Sequence, residues 1–331
     1  MKLALRYDMR RAPFSTEARE DLYRACIDQC IWADKLGFEL ISLAEHHGAE
    51  DGYNPSTMIL GSAIAGSTRD VKIALKAILL PLHDPIRMAE DLAVLDLISK
   101  GRLEVLFGAG YRPIEYQMFG LDIANRGKLM SDKVQVVKKA WTGMPFEYNG
   151  TTIQVTPAPY RQGGPPITFG GSTHFAARRA ALYADAYDPV PQHIDTFETY
   201  RAECAKLGKT PSEPRPPQLP AVFVMVSENP EAMWKTVAPF ALHESNSYGQ
   251  WNEAAGLTSG YVRVEDPEQL RRSGAYRVLT PAQCVAACKE LGPDGRLILH
   301  PLLAGMPIDL SWESLRLFER AVIPELRKAG L

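Results

Sequence analysis

Eight short apolar segments, each followed by a stretch with helical spacing, limit what this chain can fold into more than any other feature. Residues 2–8, 38–44, 71–80, 103–109, 166–170, 186–190, 221–226 and 296–302 read as strands. Helical spacing fills the gaps at 20–36, 55–67, 85–99, 126–141, 173–183 and 194–207, and again from Pro230 onward. Near-continuous apolar strands that alternate with helices imply a parallel sheet covered on both faces. Eight such units in 331 residues predict an α/β fold, a closed (β/α)8 TIM barrel forming one domain over 1–331. An active site would then lie at the C-terminal ends of the strands. The alternative is an open doubly wound sheet, which would favour a Gly-rich dinucleotide turn after strand one. That segment reads "YDMRRAPF" instead.

One stretch breaks the rhythm. Residues 242–277 are polar and show no clear strand, so we expect an insertion after strand seven, serving either as a lid or as surface decoration. "FEYNGTTIQV" reads as a small hairpin with an Asn-Gly turn.

The composition is that of an ordinary globular protein, 46% hydrophobic and 23% charged. A formal charge of −2, with no block of Lys or Arg, argues against a nucleic-acid partner. No apolar stretch approaches a membrane span of about 18 residues. The beginning "MKLALRYDMRR" turns charged too soon for a secretory signal. Five cysteines, two pairs of them four residues apart, fit reduced thiols packed as small apolar groups, which points to the cytoplasm.

Four motifs fall at expected strand ends or helix starts. Glu45, His46 and His47 follow strand two. Such a triplet can be a metal site, an acid–base site or a surface accident. Adjacent strand side chains point opposite ways, so the two histidines should not share one ion, and no metal is expected. One histidine facing the cavity suits proton transfer near neutral pH. In "SKGRLEVLFGAGYRP", Gly108 and Gly110 end strand four and would let a flat ring or a phosphate approach the backbone, or simply make a tight turn. Gly170, Gly171 and Ser172 end strand five and open a helix. Free amides, a hydroxyl and the positive helix end would seat an anion there, although Ser172 also suits a plain N-cap. Arg126, just before a helix, is either a solvated base or a bidentate phosphate clamp.

Together "AEHHGAEDGYNPSTMI", "KAILLPLHDPIRMAEDLAVLDLISKGRLEVLFGAGYRPIEYQMFG", "PPITFGGS" and "VLTPAQCVAACKELG" resemble the bacterial luciferase-like monooxygenase family over nearly the whole chain. The resemblance implies a (β/α)8 barrel with an insertion near strand seven. It also implies a homodimer that binds reduced flavin mononucleotide (FMN), or a deazaflavin, at the strand C-termini. By the same resemblance His46 is the cavity-facing histidine that assists the chemistry, its tautomer fixed by Glu45 or a backbone carbonyl. Arg102 and Arg126 would grip the cofactor's phosphate, with Gly171 and Ser172 contacting it. At Phe175, where luciferases carry a hydroxyl, only the backbone N–H could serve. Lys76–Ala77 would be a non-proline cis peptide under the ring.

Three readings follow. The leading one is a flavin-dependent monooxygenase that uses reduced FMN and O2 on a small organic substrate. With no nicotinamide fingerprint in the sequence, its reduced flavin would come from a separate reductase. The second is deazaflavin-dependent hydride transfer. The third is a non-catalytic flavin-binding barrel.

Overall fold

The computed structural model describes residues 1–257, 261 and 263–331. Its strands are β1 Lys2–Tyr7, β2 Leu40–Leu43, β3 Lys72–Ile78, β4 Leu103–Phe107, β5 Phe146–Tyr148, β6 Thr151–Ile153, β7 Ile167–Gly171, β8 Ala186–Pro189, β9 Phe223–Val226, β10 Tyr276–Leu279 and β11 Arg296–Leu299. Each of the eight expected strands has its counterpart among these. The chain divides into two compact units. One comprises Met1–Ser42, Ala49–Asn54 and Pro216–Leu331; the other comprises Leu43–Gly48 and Pro55–Arg215.

In the second unit β3, β4, β7 and β8 are neighbours in that order, and all the pairings are parallel. Ile73, Leu75, Val105, Phe107, Ile167 and Phe169 are buried. Burial of each such side chain contributes roughly 1.5–3 kcal/mol. Helices Thr57–Ser67, Pro85–Ser99, Arg126–Ala140, His174–Tyr183 and Thr196–Lys206 alternate with these strands. Trp141, just past its helix, is 2% exposed and donates its indole N–H to the Ala89 carbonyl at 3.0 Å. Gly164 lies flat against that ring, where a Cβ would come within 2.1 Å of it. The expected hairpin is β5–β6, antiparallel, with Asn149 and Gly150 at φ 51° and 76° in its turn.

In the first unit β11, β1 and β2 run side by side, and β1 pairs parallel with β11. Strands β9 and β10 also pair in parallel. Helix Pro230–Ala255 packs Met233, Trp234, Val237, Phe240 and Ala241 against Phe223, Met225 and Tyr276. The expectation that 242–277 holds no clear strand is corrected here. The helix continues to Ala255 and is closed by Gly256 in the left-handed conformation. Helix Pro267–Arg272 and then β10 follow. The stretch reads as polar because the helix buries polar groups that are bonded: Glu244 takes Arg6 at 2.7 Å and the Tyr276 hydroxyl at 2.7 Å. Strand β10 buries only Tyr276 fully and carries Arg277 at its second position, which hides the strand pattern. Residues 258–260 and 262 of the stretch lie outside the described residues.

Candidate active site

Every site residue singled out from the sequence lies in the second unit. His46 stands three residues past the end of β2. Its Nδ1 is 2.8 Å from Glu115 Oε1, and its ring meets Tyr111 edge-on at 5.6 Å. Glu115 is fully buried in the first turn of helix Pro113–Met118, which opens on proline. It also accepts the His47 amide at 3.0 Å and Arg112 Nη1 at 3.2 Å. The same Nη1 donates to the His47 carbonyl at 2.8 Å. Burial alone would raise the Glu115 carboxyl, but these hydrogen bonds and the Arg112 charge outweigh it and hold the group below its usual range. An ionised Glu115 takes the Nδ1 proton of His46 and so fixes the tautomer.

This corrects one expectation. Glu45 does not orient His46; its Oε1 lies 3.1 Å from His47 Nε2 and 2.8 Å from His83 Nε2. The two adjacent histidines bond to different carboxylates, His46 to Glu115 and His47 to Glu45. Burial would raise the Glu45 carboxyl, but the His47 and His83 hydrogen bonds bring it down to about 2.

The Lys76–Ala77 peptide is cis, as the family resemblance implies. Gly108 lies beside it: a Cβ there would sit 3.0 Å from that of Ala77. Gly110, at φ 71°, faces Leu79 and Tyr116. Ala77, Gly108 and Gly110 thus share the C-terminal rim of β3 and β4. The Lys76 side chain points elsewhere, 3.9 Å from Glu104, into a cavity of about 330 Å³ shared with Lys72, Arg102 and Arg161. Arg102 is also corrected. It precedes β4, at the end of the strand away from that rim. Its guanidinium donates to the Ser99, Val71, Ala65 and Thr68 carbonyls and the Thr68 hydroxyl, all at 2.8–3.2 Å. Those bonds use its donors on backbone, so it ties helix ends to strands.

Gly170, Gly171 and Ser172 lead into helix His174–Tyr183. The N-cap is Thr173, whose hydroxyl accepts the Ala176 amide at 3.1 Å. Ser172 is therefore not the cap, and among the described residues its hydroxyl makes no hydrogen bond; nor do the amides of His174 and Phe175. Gly171 is needed for packing, because a Cβ would meet that of Ala176 at 2.5 Å. Arg126 opens the helix Arg126–Ala140 and is exposed, its Nη1 3.2 Å from the Ile123 carbonyl. Sequence reasoning missed Arg179. Its Nε donates to the Ser131 hydroxyl at 3.1 Å, and its guanidinium lies against Gly127. Burial and the neighbouring Arg126 charge lower its pKa. Among the described residues neither arginine forms an ion pair. A hydroxyl, two helix-end amides and two guanidinia without an ion pair among the described residues are donor types that suit an anion such as a nucleotide phosphate.

Comparison with known proteins follows the same line. The family model for luciferase-like monooxygenases matches residues 9–291. The oxygenase component of the flavin-dependent trigonelline monooxygenase of Acinetobacter baylyi is 28% identical over 174 residues, 50% of this chain and 48% of that protein. The alkanal monooxygenase alpha chain of Photorhabdus luminescens is 29% identical over 140 residues, 41% and 39% of the two chains. The chain thus spans less than half the length of these curated relatives. Among solved structures, the monooxygenase RslO1 of Streptomyces bottropensis superposes with a TM-score of 0.76 at 23% identity, over 98% of this chain and all of that one. The FMN-bound oxygenating constituent of 3,6-diketocamphane monooxygenase from Pseudomonas putida gives 0.69 at 19% identity, over 98% of each chain. An F420-dependent secondary alcohol dehydrogenase gives 0.64 at 17%, also over 98% of each. A match over 9–291, together with this fold, makes the chain a member of the luciferase-like monooxygenase family.

Proposed function

We propose that the protein is a monooxygenase that uses reduced FMN and O2 to oxygenate a small, apolar organic substrate. The observation that carries this reading is a histidine held by a buried, ionised carboxylate, His46 on Glu115, in the unit that also bears the anion seat. Ser172, the His174 and Phe175 amides, Arg126 and Arg179 would hold the phosphate, and Ala77, Gly108 and Gly110 would admit the ring. When bound, reduced FMN supplies the electrons that activate O2. His46 keeps Nδ1 on Glu115, which leaves Nε2 to exchange a proton with the substrate. Leu79 beside Gly108 and Gly110, Leu106 beside Gly170, and Tyr111 edge-on to His46 are apolar surroundings that would suit an apolar substrate.

The closed (β/α)8 barrel as one domain over 1–331, with a lid drawn from the stretch 242–277, belongs to the same reading. So does a separate flavin reductase, supported by the trigonelline relative's name as an oxygenase component. Five free, buried cysteines suit a reducing cytoplasm. A homodimer is supported by an apolar stripe that the second unit leaves exposed: Val94, Leu97 and Ile98 on one helix and Ile59 on another.

A screen of O2 and reduced-FMN consumption against aldehydes, ketones and terpenes tests the function. Substrate-dependent oxygenated product is expected. The second reading, deazaflavin-dependent hydride transfer, is favoured by the F420-dependent neighbour and served by the same anion seat. Micromolar binding of the deazaflavin with none of FMN would establish it instead.

A further inference from the structure

The Glu45 carboxylate gathers two imidazole nitrogens and a backbone amide around one oxygen. Oε1 lies 3.1 Å from His47 Nε2, 2.8 Å from His83 Nε2 and 3.2 Å from the Leu79 amide. Oε2 has only the Thr57 hydroxyl, at 3.4 Å. Two imidazole nitrogens and an amide thus crowd one oxygen while the other has a single long contact. Glu45 is 2% exposed and His47 8%, which leaves little room for water to relieve the crowding. The carboxylate oxygen and the two imidazole nitrogens all lie within 4.8 Å of one another.

We propose that Glu45, His47 and His83 form a binding site for a divalent cation of borderline softness, with Zn2+ the best match. Two imidazoles and a carboxylate are a common zinc donor set, with Zn–N and Zn–O near 2.0–2.2 Å. A tetrahedron of that size places neighbouring ligand atoms about 3.3 Å apart. The present separations of 2.8 and 3.1 Å need to open by only a few tenths of an ångström. Two neutral rings move their protons to Nδ1, the ion takes both Nε2 lone pairs, and the Leu79 amide keeps its bond to Oε1. The number of protons is unchanged. The part-exposed His83 gives the ion a path from solvent, and a water completes the shell. The site leaves His46 on Glu115 and explains how neighbouring histidines can stand beside a metal without sharing it: the second imidazole comes from His83. The bound ion would tie the end of β2 to the turn Leu80–Leu82, stiffening the segment that carries His46. A second cluster of Asp8, Glu244 and His300 is as tight, but Arg6 lies 2.7 Å from Glu244 and 3.5 Å from Asp8 and already fills the cation's place.

Calorimetric titration of the metal-stripped full chain with Zn2+, and absorption spectra with Co2+, test the site. One ion per chain and a tetrahedral Co2+ spectrum are expected. Glu45→Gln and His83→Gln should each lose more than the roughly 10–100-fold typical of an outer-shell partner. His193→Gln, at the half-buried His193 away from the cluster, should bind like wild type. Circular dichroism reports whether each variant folds; if Glu45→Gln does not, the part-exposed His83 variant decides. Absence of a saturable site, wild-type binding in a folded His83→Gln, or loss in His193→Gln would overturn the proposal.

Discussion

His46 and His47 are chemical equals in the sequence and differ only in what holds them. His46→Ala should lower kcat by about 10²–10⁴-fold, the usual range for a lost general acid or base. Glu115→Gln keeps an acceptor for Nδ1 but removes the charge that favours imidazolium. Its kcat/KM–pH profile should therefore shift to lower pH, with FMN affinity unchanged. An unshifted profile would show that Glu115 only packs. Asp8 gives a second titration. Burial would raise its carboxyl, but His300, Arg6 and Arg10 hold it well below the usual carboxylate range. Its contribution to stability is then full above the unfolded value near about 3.9 and is lost as pH falls through the folded one. Asp8→Asn should be less stable than wild type at pH 7, and urea midpoints should show the gap narrowing toward pH 2. At this scale the sequence pointed to His46 and Ser172 but not to Glu115 or Arg179. Their partners come from separate elements, and nothing in the local pattern of "RPIEYQ" or "AARRAA" announces that pairing.

Two elements show how local pattern and tertiary demand part company. Gly164 sits under the Trp141 ring at φ 91°, so Gly164→Ala meets both a clash and a strained backbone. A loss of about 1–3 kcal/mol is expected, read as a lower urea midpoint at constant slope. Arg102 binds carbonyls at the start of β4. Arg102→Gln should destabilise by about 2–3 kcal/mol and leave FMN affinity within about two-fold of wild type. A variant of normal stability with lost FMN binding would restore the phosphate role. The strands were legible because each is a short, mainly apolar run set between helical stretches, and the Asn-Gly hairpin because both turn residues accept positive φ. Strand β10 and the second half of helix Pro230–Ala255 were not. In the helix Glu244 is buried against Arg6, and in β10 Arg277 bonds to the Gly274 carbonyl; a pattern of apolar spacing registers neither.

For the molecule as a whole, family and fold were legible together because order and spacing of strand ends survive at 17–29% identity, where single residues do not. The exposed stripe of Val94, Leu97 and Ile98 should hold two copies together. Val94→Lys combined with Ile98→Lys should sediment as a monomer where wild type sediments as a dimer. Most directly, anaerobic titration of the full chain with reduced FMN and with reduced riboflavin probes the cofactor seat in wild type, Ser172→Ala and Arg179→Gln. Wild type should prefer FMN, and each variant should weaken FMN by about tenfold, or about 1.4 kcal/mol, while riboflavin binding stays unchanged. Equal affinity of wild type for the two flavins, or equal losses for both in the variants, would contradict a phosphate anchored beyond β7.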